Sequence, residues 1–291
     1  MLDCSFCIIP SVRPHLASRP PHHILDEVRR LVDNGYREIV LTGIHLGHYG
    51  VEWSRARAKS DWFRLSHLLE KLAALGGEFR VRLSSIEATE VTRELVAVMA
   101  AHPARICPHL HVSMQSGSDE VLRRMRRRWG SQRFVDRCRQ VCESLDRPAL
   151  TTDVIVGFPG ESETDFGETL SLLDQVGYDG VFTFKYSPRP NTPALAMADS
   201  LPDQEKARRL AVLMEHQRRI QVENYRRHVG QTLQVMVEGR NEARGQWIGR
   251  SSQNKTVNFT AGAGVVLKAG EYRDVYVSRS FPNSLAGEMV V

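Results

Sequence analysis

No apolar run in the 291-residue sequence approaches the roughly 20 residues that a membrane-spanning helix needs. The first residues show no charged-then-apolar signal pattern. Cysteine is scarce, at five residues, and only Cys4 and Cys7 form a Cys-x-x-Cys pair. That scarcity argues against a disulfide-stapled scaffold, and the lack of a second pair argues against a four-cysteine zinc site. A cytoplasmic setting with no membrane partner is expected. Strong charge of one sign is also missing, since 39 Lys and Arg against 34 Asp and Glu give +5. From His228 onward seven basic residues face five acidic ones, so that segment carries +2 of the excess and the preceding part +3. The basic charge is not concentrated at the C-terminal end.

What is present begins at Cys4-Ser5-Phe6-Cys7. Thiols at this spacing bind zinc, form a redox couple or ligate an iron–sulfur cluster, and the pair alone does not choose among them. Cys138 and Cys142 continue an apolar stripe with Val135, Val141 and Leu145, so both read as helix-core residues, as does Cys107. Buried free cysteine behaves as a small hydrophobe.

The chain up to about residue 190 alternates two hydrophobic periods. Helical patterns cover residues 24–34, 65–75, 91–101, 119–127, 132–145 and 164–176, the first two closed by glycine at 35 and at 76–77. Short apolar runs lie between them at 38–43, 79–85, 109–115, 150–157 and 180–187. Strands separated by helices imply a parallel sheet, because parallel neighbours need crossover connections. The predicted class is therefore α/β, a sheet or partial (β/α) barrel with its chemistry at the C-terminal strand ends. Unusual residues gather there: Thr42-Gly43-Ile44-His45-Leu46-Gly47, Ser84-Ser85-Ile86-Glu87, Ser113-Met114-Gln115-Ser116-Gly117-Ser118, residues 153–161 and residues 185–193. Glycine lets backbone approach a ligand closely, and the polar side chains can grip hydroxyl, amino and carboxylate groups.

On these segments the chain resembles the radical S-adenosylmethionine (SAM) methylthiotransferases over nearly all of residues 4–291. The resemblance implies a partial radical SAM barrel, a 4Fe-4S iron-sulfur cluster and S-adenosyl-L-methionine as cofactors. The family motif is Cys-x-x-x-Cys-x-x-Cys; Cys4 and Cys7 match its second and third ligands, and Phe6 matches the aromatic between them. By that spacing the first ligand falls one residue before Met1. The expectation is thus a chain cut through its cofactor loop, without the first barrel strand or the family's amino-terminal domain. Gly43 corresponds to the turn that receives the methionine amino group. Glu87, Gln115, Ser116 and Arg124 correspond to contacts with the methionine and ribose portions, and Asp153 through Gly157 to the strand near adenine. Within the family, segments 41–50, 84–90, 115–118 with Arg124, and 153–161 look most like the branch that modifies threonylcarbamoyladenosine. The isopentenyladenosine branch is the alternative.

A cluster held by three cysteines leaves one iron open to the amino and carboxylate groups of S-adenosyl-L-methionine. The implied reaction abstracts hydrogen from a base carbon and installs sulfur and methyl there. Implied partners are the tRNA anticodon loop and an electron donor such as flavodoxin or ferredoxin.

After Leu201-Pro202-Asp203 a long helical stretch sets Leu210, Leu213, Met214 and Ile220 among arginines. Short strands at 232–237, 247–250, 256–259, 271–277 and 285–290 then suggest a small closed barrel of the oligonucleotide-binding kind. Its place in the chain resembles the family's all-β TRAM module. The expected division is residues 1–227 for the partial barrel with its linker helix and 228–291 for an RNA-binding domain, with residues from about Tyr225 to Val291 able to fold alone. Trp247, Phe259, Tyr272 and Tyr276 are candidates for base stacking, with core packing the competing role. The run Arg123-Arg124-Met125-Arg126-Arg127-Arg128 reads as a solvated helix face or as phosphate contacts. Two function classes follow, a tRNA methylthiotransferase or a non-catalytic RNA-binding remnant. The intact strand-end residues favour the enzyme.

Overall fold

The computed structural model describes residues 3–54, 57–58, 61–198 and 201–290; Met1 and Leu2, ahead of the cysteine loop, and Val291 lie outside them. The helices are α1 (Ile9–Val12), α2 (Pro21–Asp33), α3 (Val51–Ser54), α4 (Leu65–Ala73), α5 (Arg93–Ala101), α6 (Asp119–Arg124), α7 (Ser131–Ser144), α8 (Glu163–Val176) and α9 (Asp203–Arg226). Their ends follow local chemistry. Proline opens α2, where no N–H is needed, and side chains of Thr92, Ser118 and Ser162 accept the free N–H groups at the starts of α5, α6 and α8.

Strand β1 (Glu38–Leu41) pairs in parallel with β2 (Arg80–Leu83). Strands β3 (Ser85–Ile86), β4 (His109–Val112), β5 (Ala149–Val156) and β6 (Gly180–Lys185) form a parallel sheet in sequence order. The run expected as one strand at 79–85 therefore divides at Ser84: Leu83 still pairs with Leu41 of β1, whereas Ser85 pairs with His111 of β4. A parallel bridge between Val81 and Ile106 links the two sheets. Leu68, Leu69 and Leu72 of α4, Phe134 and Val141 of α7, and Leu172 and Leu173 of α8 pack with Val81, Leu83, Leu110 and Val154 in one buried core. Each such side chain contributes about 1.5–3 kcal/mol on leaving water. Cys107 and Cys138 are buried as read from the stripe, but Cys142, in the last turn of α7, is exposed.

The C-terminal strands β7 (Thr232–Asn241), β8 (Gln246–Ser251), β9 (Thr256–Thr260), β10 (Tyr272–Phe281) and β11 (Ser284–Met289) close into a barrel in the order β10-β11-β9-β8-β7. Alternate residues Leu233, Val235 and Val237 face its core with Val257, Phe259, Val275, Val277 and Leu285. Of the aromatic candidates for stacking, Phe259 is wholly buried, Trp247 packs against the core, and Tyr272 donates its hydroxyl to Arg37 O at 2.5 Å. Tyr276 remains exposed.

The small barrel does not hang free. Glu38, at the start of β1, accepts from Arg80 Nε at 2.6 Å and from Arg82 Nε at 2.8 Å. The same arginines donate across to the end of β8 and the turn after it, Arg80 to Arg250 O at 2.9 Å and Arg82 to Ser252 O at 2.9 Å. Lys255 in that turn is buried and ion-paired with Asp179, just before β6. The turn thus caps the amino-terminal ends of the parallel strands, opposite the ends where chemistry is expected. Helix α9, about 36 Å long at 1.5 Å per residue, ties the two parts together. Its Gln217 donates to Tyr178 O at 2.9 Å, and its Gln221 donates to Pro282 O at 2.6 Å in the small barrel.

Candidate cofactor site

The cysteine loop is pinned at its serine. Ser5 N–H bonds Met125 O at 3.2 Å, Ser5 Oγ donates to Arg124 O at 2.7 Å, and Ala194 N–H bonds Ser5 O at 2.8 Å. A turn from Cys7 N–H to Cys4 O, 3.3 Å, brings the two cysteines together. Phe6 packs edge-on against Phe158 at 6.2 Å, within a small apolar cluster that includes Val121, Met125 and Tyr186. The loop therefore rests on the C-terminal ends of the strands through α6 and the loop after β5.

Cys4 and Cys7 line a cavity of about 210 Å³ together with Ile44, His45, Ser85, Glu87, Glu90, Ser113, Gln115 and Arg127. Glu87 is gripped by Arg127, and its other oxygen accepts from Trp129 Nε1 at 3.0 Å. Arg127 lies over the Phe6 ring at 5.6 Å, and its buried Nε has no protein acceptor. Gln115 adopts a left-handed φ of 72°, unusual for a side chain this size. It is held there by Gln115 N–H to Asp153 O at 2.8 Å and Ile155 N–H to Gln115 O at 2.9 Å. Burial pushes the pKa of the Cys4 thiol above its usual value, with the Arg127 charge pulling it down. Burial also raises Glu90 to about 7 and lowers His45 and His48.

Not all the residues singled out in the sequence meet at this cavity. Cys4, Cys7, Glu87 and Gln115 line it, and Gly43 borders it through Ile44 and His45. Asp153 sits on the neighbouring strand, its carboxylate 3.1 Å from His111 Nε2. Ser116 is fully buried, with its hydroxyl 3.3 Å from Thr169 Oγ1. Arg124 donates to Pro159 O at 2.8 Å, joining α6 to the loop after β5. Gly157 has φ +71°, and a Cβ there would fall 2.5 Å from Lys206 Cγ; its N–H bonds Glu161 Oε1 at 2.9 Å. These last three brace the loops around the site.

Arg127 was legible only as one member of a basic run. The left-handed φ of 58° at Arg126 ends α6 and turns Arg127 inward, with 5% of its side chain exposed, while Arg123 stays 71% exposed. The donor chemistry matches part of an iron–sulfur site with a bound amino acid portion. It offers two of the three thiols of the family motif, a cavity beside them, and a guanidinium with a spare donor for a carboxylate.

A parallel α/β sheet with a cysteine loop over its strand ends, followed by a five-stranded barrel, defines a class. Residues 1–173 match the Radical SAM superfamily and residues 226–290 match the TRAM domain, and the chain belongs to the radical SAM superfamily. Proteins of that family work with a 4Fe-4S cluster and S-adenosyl-L-methionine. Over 99% of this chain it is 46% identical to a tRNA-2-methylthio-N(6)-dimethylallyladenosine synthase from Koribacter versatilis, of which it covers 63%. It is 43% identical over 98% of its length to the enzyme of that name from Solibacter usitatus, again covering 63%. The chain thus spans a little over three-fifths of the length of these curated relatives. Both are named for dimethylallyladenosine, which is the isopentenyl alternative, and neither supports the expected threonylcarbamoyladenosine branch. Among solved structures, the radical SAM methyltransferase TsrM from Kitasatospora setae superposes with a TM-score of 0.53 at 16% identity, over 67% of this chain and 36% of that one. That likeness is one of fold. Among the described residues no helix is long and apolar enough to cross a membrane.

Proposed function

We propose that the chain is the radical SAM and TRAM portion of a tRNA methylthiotransferase acting on isopentenyladenosine in the anticodon loop. The observation that carries this reading is the cavity that sets Cys4 and Cys7 against Glu87, Gln115 and Arg127. The names of the relatives supply the substrate class.

Cys4 and Cys7 are the thiols that would ligate the cluster, and Arg127 Nε is the donor for the methionine carboxylate. A bound 4Fe-4S cluster with S-adenosyl-L-methionine supplies reductive cleavage of a carbon–sulfur bond, which provides a hydrogen-abstracting radical. Glu87, held in place by Arg127 and by Trp129 Nε1, presents its carboxylate to the cavity, where it can hold an ammonium group. Phe6, backed by Phe158, shields the loop from water on one side. Gly43, Ser116, Arg124, Asp153 and Gly157 position the loops that carry these groups. The small barrel, fixed at the opposite strand ends, presents Tyr276 and Phe281 at a set distance for tRNA. An electron donor such as flavodoxin or ferredoxin completes the reaction.

The test is anaerobic incubation of the iron-loaded protein with S-adenosyl-L-methionine, a reductant and tRNA carrying isopentenyladenosine, followed by nucleoside mass spectrometry. The expected product is the 2-methylthio derivative of isopentenyladenosine. Methylthiolation of threonylcarbamoyladenosine alone would overturn the branch. Tight tRNA binding by a protein that takes up no iron would overturn the enzymatic reading in favour of a binding remnant.

A further inference from the structure

We propose that His45, His48 and Glu90 form a binding site for one divalent transition-metal ion of the zinc class, using none of the cysteine thiols. The chain after β1 enters a 3-10 turn, Leu46–His48, that brings two imidazoles together with ring centres 5.6 Å apart. Facing them is Glu90, at the end of another 3-10 turn, Ala88–Glu90, with 3% of its side chain exposed. Its Oε2 accepts from Gly47 N–H at 3.2 Å and from Glu87 N–H at 3.0 Å. Its Oε1 is buried and has no hydrogen-bond partner. His48 Nε2 stands 3.5 Å from that oxygen. This is long for a hydrogen bond, yet close to the roughly 3.3 Å that separates two ligands on a tetrahedral ion with bonds of 2.0–2.1 Å.

One ligand atom from each of the three residues lies within 4.8 Å of the other two. A Cβ on residue 47 would fall 2.3 Å from Glu90 Cβ, so only glycine admits the carboxylate to this position. Two imidazoles and one carboxylate are a donor set that zinc takes with an open fourth position. Here His45 and Glu90 line the cavity, so the fourth position gives onto it and takes water or a polar group of a bound molecule. The ion would join the loop after β1 to the turn after β3, two walls of the cofactor cavity.

The experiment uses Co²⁺ as the spectroscopic probe and a Cys4→Ser/Cys7→Ser chain, which removes the thiols as competing ligands. The expected result is one Co²⁺ per chain, with visible d–d absorption and no thiolate charge-transfer band. Adding Zn²⁺ should displace it and raise the melting temperature. His48→Ala and Glu90→Gln should each weaken Co²⁺ binding by more than the roughly 10–100-fold that loss of a supporting contact costs, while His22→Ala/His23→Ala should not. Two variants at different positions guard against misfolding of either, and their far-ultraviolet spectra report it. No Co²⁺ uptake by the cysteine-free chain, or uptake unchanged in both His48→Ala and Glu90→Gln, would overturn the site.

Discussion

Replacing Glu38 by Gln removes the carboxylate that Arg80 and Arg82 share, while leaving the volume of the side chain nearly unchanged. Glu38 is 11% exposed, and the two guanidiniums are 3% and 5% exposed, so solvent does little to replace the lost charge. Burial alone would raise the pKa of Glu38, but hydrogen bonds and charge from Arg82 and Arg80 outweigh it and hold it at about 2 against an ordinary 4.5. That difference corresponds to about 3 kcal/mol of folded-state preference for the ionised form. An independent route agrees, since breaking a buried pair from one side costs roughly 3–5 kcal/mol. The sign follows from the lowered value. The stabilisation is fully present above the unfolded acidity of about 4.5 and is lost as pH falls through about 2. Urea unfolding of the wild type and Glu38→Gln should therefore differ by about 3 kcal/mol at pH 7, and the gap should narrow below pH 4.5. Because these arginines also hold the end of β8 and the turn after it, amide exchange at Ser251 and Lys255 should quicken in the variant. A gap below about 1 kcal/mol, in the range of exposed pairs, or one that does not change with pH, would refute the argument.

Lys255→Met should cost roughly 1.5–3 kcal/mol by taking the buried cation from Asp179, whose side chain is 16% exposed, measured by chemical denaturation. A chain ending at residue 227 should lose cooperative unfolding, because Arg80 and Arg82 would be left without their acceptors at Arg250 and Ser252; a two-state transition equal to that of the whole chain would count against this. Arg127→Lys keeps the charge but loses the fork, so S-adenosyl-L-methionine binding by the reconstituted protein should weaken about 10–100-fold, the worth of one hydrogen bond between charged groups, in equilibrium dialysis. Gly287→Ala should open the small barrel, since a Cβ there would meet Tyr276 O at 2.0 Å; loss of tRNA binding and of slow amide exchange in β10 and β11 would be the readout.

The branch expected from the sequence rested on segments 41–50, 84–90, 115–118 and 153–161. In the structure these segments surround the cysteine loop or brace it, through Glu87, Gln115, Arg124 and Gly157. Residues that serve a shared cofactor say little about which nucleoside approaches it. The relatives' names, drawn from similarity along the whole chain, point instead to dimethylallyladenosine.

The sequence by itself determined the alternation of helix and strand, the parallel order, the closed C-terminal barrel and the place of Cys4 and Cys7. Those features depend on hydrophobic period, turn residues and spacing, all of which are local. Only the tertiary structure decided that Arg127 rather than Arg124 enters the cavity, because a single left-handed residue at 126 redirects the chain where α6 ends. It alone divided the run 79–85 between two sheets at Ser84, where the pairing partner changes from β1 to β4. It also set the small barrel against the amino-terminal strand ends. Arg80 and Arg82 reach residues 170 positions away there, and no period or spacing encodes a pairing at that separation.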